Sequence, residues 1–123
     1  PYISEFSKDG KLLADLTFTG GSNYRAYRFD WHAQPTAPPT ATKSQPQSDI
    51  TRGHMSWNGA TEVASWRVLS GDDEEHLVEN TEVERTGFET AADITPNGST
   101  IIVEALDADG KSLGSTRAEP QNR

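Results

Sequence analysis

Cysteine is absent from the 123 residues. That excludes disulfides, a thiol nucleophile, thiolate-bound zinc and iron–sulfur clusters. Histidine occurs three times and methionine once, so imidazole chemistry has few candidates. No apolar run approaches the ~18 residues of a membrane-spanning helix. No segment of about ten residues or more holds a 3.6-residue period between caps, so no helix is expected. Positive charge is scarce as well: 11 Lys and Arg stand against 19 Asp and Glu, a net of −8. Residues 1–60 carry six basic and five acidic side chains, whereas residues 61–123 carry five and fourteen. An acidic body of this kind disfavours nucleic acid and anionic membranes as partners. Only 33% of the residues are apolar, which suits one small core and excludes a large catalytic barrel. Pro1 is followed by no basic-then-apolar leader, and Arg123 fits cleavage after a basic residue. The expectation is a processed product or a piece of a larger precursor.

What is present reads as strands and turns. Residues 2–6 and 11–18 flank Ser7-Lys8-Asp9-Gly10, and Asp-Gly accepts a positive φ at little cost. After Gly20-Gly21-Ser22-Asn23, the run from Tyr24 to Trp31 sets Tyr27, Phe29 and Trp31 at period two, on one face of a strand. Residues 1–31 are therefore expected to form a three-stranded antiparallel meander, which is marginal unless it leans on something. Residues 32–48 hold four of the seven prolines and read as a connector or a first edge strand. From residue 49 onward, short strands are expected over 50–57, 63–69, 77–85, 88–94, 100–106 and 112–117. Turn signals spaced by roughly 8–12 residues point to an all-β sandwich.

Candidate sites are few. An acid–base or nucleophilic histidine needs an orienting partner and a pocket; His32, His54 and His76 share no short motif and are expected to be ordinary surface or edge histidines. Asp72-Asp73-Glu74-Glu75 could attract a hard cation, but consecutive side chains diverge and a solvated loop is favoured. Asp107-Ala108-Asp109-Gly110 has the wrong residues at two key ligand positions of a calcium loop, and reads as a hairpin turn. No catalytic residue, metal ligand or cofactor is expected. The best ligand-binding candidates are Tyr27, Phe29 and Trp31, with Arg25 and Arg28 on the opposite face. Alternating aromatics more often face a core, and burial is the favoured reading for them. Trp57 and Trp66 are expected in the core. Asn97-Gly98-Ser99 is an N-glycosylation acceptor in a turn.

Ser56-Trp57, then Trp66-Arg67-Val68, and the run from Ile102 to Ser112 resemble a fibronectin type III module. Ser99 stands where such modules carry the tyrosine of the corner hydrogen bond. The longer phrases from Ser56 to Leu69, Gly87-Phe88-Glu89-Thr90, Glu104 to Gly110, and Tyr24 to Trp31 followed by Pro35 resemble the C-terminal region of fungal and actinomycete arylsulfotransferase-like proteins. The resemblance implies the last propeller strands over residues 1–31 and a fibronectin type III-like sandwich over 49–123. It implies no catalytic residue, because the histidines and arginine of that activity lie in a propeller that these residues do not contain. The expected function is a secreted, non-catalytic binding or support module that recognises carbohydrate or protein. The alternatives are an autonomous secreted bioactive protein and an accessory part of a sulfuryl-transfer enzyme. An unpaired sheet edge can also pair across a twofold axis into a homodimer.

Overall fold

The computed structural model describes residues 2–121. Pro1 and Arg123, whose places in the chain suggested processing, lie outside the described residues. Two compact units meet in the chain between Asp30 and Trp31. In the first, β1 (Tyr2–Phe6) and β2 (Leu12–Thr17) form an antiparallel hairpin with Tyr2 opposite Thr17. The turn closes through Ser7 N–H to Lys11 O at 2.7 Å and Gly10 N–H to Ser7 O at 3.0 Å. Gly10 takes φ +79°, and the pairing slips by one residue between Glu5 and Phe6.

The expected third strand of a meander does not form: this sheet has two strands, and residues 24–31 pair with neither. A period of two dictates which side chains share a face, but not whether a backbone edge is available to receive the segment. Without a covering layer, none of residues 2–30 is buried. Burial of the Tyr27, Phe29 and Trp31 rings is therefore also corrected.

The second unit holds β3 (Thr40–Ser44), β4 (Thr51–Ser56), β5 (Ser65–Gly71), β6 (Val78–Glu84), β7 (Glu89–Ile94), β8 (Thr100–Leu106), β9 (Ser112–Arg117) and β10 (Glu119–Pro120). One sheet runs β10-β3-β4-β7 and the other β6-β5-β8-β9. The links β4 to β5, β6 to β7 and β7 to β8 each change sheets, giving an all-β, sandwich-like unit. Alternation supplies its core. Met55 on β4, Ala92 and Ile94 on β7, Trp66 and Val68 on β5, and Ile101, Val103 and Ala105 on β8 join one buried cluster. Each large side chain taken fully from water contributes about 1.5–3 kcal/mol. Trp57 and Trp66 are 8% and 2% exposed, as expected.

The proline-rich segment is fastened to this unit. Trp57 Nε1–H donates to Ala37 O at 2.8 Å, Gln34 Nε2–H donates to Leu113 O at 2.9 Å, and Pro39 is buried. The second Asp-Gly turn repeats the first. Asp107 N–H reaches Lys111 O, Gly110 sits at φ +78°, and Asp107 Oδ1 accepts from the amides of Asp109 and Lys111. That carboxylate is thereby occupied within the hairpin. No sequence signal marks β10, which runs parallel to β3 for two residues and ends on a proline. Its place follows from the preceding Ala118, which is buried and whose N–H donates to Ile101 O at 2.9 Å.

Candidate functional site

The aromatic segment lies open on the first unit. Tyr24, Tyr27 and Phe29 are 89%, 70% and 81% exposed. The Tyr27 and Phe29 ring centroids are 6.1 Å apart with planes tilted by 35°, within the range of favourable aromatic pairs. The Arg25 guanidinium stands 5.0 Å over the Tyr24 ring and donates to Tyr27 Oη at 3.3 Å. Arg28 makes a 2.6 Å ion pair with Glu5 on β1, the one charged tether between the segment and the hairpin among the described residues. Ile3, Leu16, Tyr27 and Phe29 line a cleft of about 520 Å³ there. The structure thus brings four of the five sequence-predicted site residues together. The fifth, Trp31, opens the second unit and is also exposed. Such a surface can stack rings, and its unpaired backbone can join a sheet edge.

Each histidine meets a carboxylate through Nδ1: His32 with Glu62 at 2.8 Å, His54 with Glu89 at 3.1 Å and His76 with Asp73 at 2.8 Å. The three lie at separate places on the second unit. His32 anchors the connector rather than a pocket, since Thr61 Oγ1 donates to the same Glu62 oxygen and accepts from Ala33 N–H. The hydrogen bond from His32, followed by that from Thr61, holds the Glu62 carboxyl below its ordinary range. His76 does the same to Asp73, whose Oδ1 also accepts from the amides of Glu75 and His76. Asp73 therefore organises its own loop. No group of three or more metal-ligating side chains converges among the described residues. No helix there is long and apolar enough to cross a membrane.

Two arrangements were not legible from sequence spacing. Arg67 on β5 lies between Glu82 on β6 and Glu104 on β8, at 3.6 and 3.3 Å, with Glu79 3.2 Å from its Nε. The Glu79 contact is a charge approach without an aligned hydrogen bond, since Nε has no hydrogen-bond partner. The second is a cleft of about 550 Å³ in the second unit, formed where β3, β4, β8, β10 and the 96–99 turn converge. Four distant stretches of chain build it, so no local motif announces it. Asn97 is exposed beside it, its N–H donating to Ser70 Oγ at 2.7 Å. Against this geometry, no protein-family model matches the chain, and no curated protein matches it in sequence.

Proposed function

We propose that the chain is a secreted, non-catalytic docking module, and that residues 24–30 are the strand it presents to another β-sheet domain. One observation carries the reading. Nine large apolar side chains between Tyr2 and Phe29 are each more than two-fifths exposed, on a unit none of whose described residues is buried. Six of them are aromatic, and an aromatic ring can bury about 150–250 Å². Covering them would remove on the order of 800 Å² from water, the usual share of one partner in a stable complex. Monomeric surfaces rarely leave so much apolar area bare. A segment with no backbone pairing among the described residues and with alternating rings suits strand addition: the backbone supplies affinity and the rings supply specificity.

The partner that best suits it is a propeller of the arylsulfotransferase-like class, whose last strands residues 1–31 resemble. The order β3-β4-β7 facing β6-β5-β8-β9 supports a fibronectin type III-like second unit beside it. In this reading sulfuryl transfer belongs to the partner, and this chain contributes support.

Co-expression with such a propeller domain tests the proposal. A complex that survives size-exclusion chromatography is expected, with amides 24–30 newly protected from hydrogen exchange. The double variant Tyr27→Asp/Phe29→Asp is expected to abolish it. No complex, or one indifferent to the double variant, overturns the reading. The isolated chain is expected to leave an aryl sulfate donor unchanged, and reproducible turnover would overturn its non-catalytic part.

A further inference from the structure

The cleft of about 550 Å³ on the second unit differs from the rest of that unit in its charge. Residues 31–123 carry fifteen acidic and seven basic side chains, yet among the described residues no carboxylate lines this cleft. Its one ionisable group among the described residues is Lys43 on β3. Lys43 Nζ donates to Ser99 O at 2.8 Å, which holds the ammonium on the wall of the cleft. An ammonium has three donors, so two are left for a ligand. Neutral polar groups surround it: Gln45, Thr51 and Ser99. Gln45 spends one amide hydrogen on Ser48 O at 2.8 Å, leaving its carbonyl oxygen to accept. Pro96, Ile101 and Pro120 supply flat aliphatic surface. The volume lies in the range that small-molecule sites occupy.

These features select a ligand with one negative charge, several hydroxyls and an apolar ring face. A phosphate-rich ligand would want more than one cation, and an apolar ligand would leave the polar wall unpaired. We infer that this cleft binds an acidic sugar of the hexuronate type, with its carboxylate on Lys43 Nζ and its hydroxyls on Gln45, Thr51 and Ser99. The inference goes beyond the docking role of residues 24–30 and is independent of it, since every lining residue belongs to the second unit.

Titration of the isotopically labelled full chain, produced without a glycan on Asn97, tests it. Glucuronate is added at neutral pH and constant ionic strength while amide spectra are recorded. Saturable shifts are expected at Lys43, Gln45, Ser99 and Ile101. Glucose, which lacks the carboxylate, and acetate, which lacks the ring, are each expected to bind at least about tenfold more weakly, since a charge-assisted hydrogen bond is stronger than a neutral one. Lys43→Gln is expected to weaken glucuronate about tenfold or more with the remaining spectrum unchanged. Thr51→Trp, which fills the cleft from β4, is expected to block binding even if Lys43→Gln disturbs the β3 edge. Absent or non-saturable shifts, equal affinity for acetate, or glucuronate binding unaffected by both variants overturns the inference.

Discussion

Truncating Phe29 should cost almost nothing in stability, whereas truncating Trp66 should cost several kcal/mol. The contrast follows from where each ring spends its surface. Full burial of a large apolar side chain contributes about 1.5–3 kcal/mol. Phe29 keeps 81% of its surface exposed, so only about a fifth of that, roughly 0.3–0.6 kcal/mol, is at stake in Phe29→Ala. Tyr27, 70% exposed, is at most slightly more costly. Trp66 is 2% exposed within the buried cluster, and Trp66→Ala should cost about 3–5 kcal/mol. Its indole N–H is buried without a hydrogen-bond partner, a defect of about 1–3 kcal/mol already carried by the native protein. Trp66→Phe removes that orphan donor along with some volume, and should therefore cost clearly less than Trp66→Ala. Urea unfolding followed by circular dichroism reads all four variants, with an unchanged m-value marking an unchanged unfolding reaction. A loss above about 1.5 kcal/mol for Phe29→Ala or Tyr27→Ala would mean that these rings are structural after all, and would remove the observation on which the docking role rests.

Gly98→Ala should destabilise the second unit by about 1–3 kcal/mol or more, because the new Cβ would collide with the Gly71 carbonyl and the Asp72 amide, all backbone. Calorimetry should register a melting point lower by on the order of 10 °C, and a melting point at or above that of the native protein refutes the close approach. Asp93 accepts two 2.6 Å hydrogen bonds from Arg52, and these hold its carboxyl below the ordinary range. A carboxyl depressed in the folded state adds stability that is present above its unfolded pKa and is lost as pH falls through the lower folded value. Carboxyl titration by NMR should show the Asp93 midpoint rising in Arg52→Gln, and an unmoved midpoint counts against the pair as the cause. Secretion from a eukaryotic host should add a glycan at the exposed Asn97, visible as a mass increment that Asn97→Gln and enzymatic deglycosylation both remove. An unmodified secreted chain would show that the turn resists the transferase.

Much of the second unit was legible because its strands are half-buried and so alternate. Thr100–Leu106 and Ser112–Arg117 have the bounds that the sequence pattern suggests, since Ile101, Val103 and Ala105 share a face and Asp109-Gly110 supplies the turn. Trp57 and Trp66 were equally legible as core. The same pattern misled at residues 24–31. Tyr27, Phe29 and Trp31 alternate as a buried strand would, but alternation carries no information about whether a pairing edge or a covering layer exists. The residue types that make this segment a candidate are legible in the sequence, while their exposure was visible only in the structure.

Local chemistry in the sequence determined the all-β class, the two Asp-Gly turns, the absence of thiol chemistry and the acidic second half, because each depends on near neighbours or on composition alone. Tertiary structure decided what depends on distant segments meeting. It exposed the aromatic run, surrounded Arg67 with three glutamates, added the two-residue β10 beside β3, and set Lys43 within a cleft that no carboxylate lines among the described residues. Burial and electrostatic environment are properties of the space around a side chain. In a sandwich whose links repeatedly change sheets, that space is filled by residues far away in the chain.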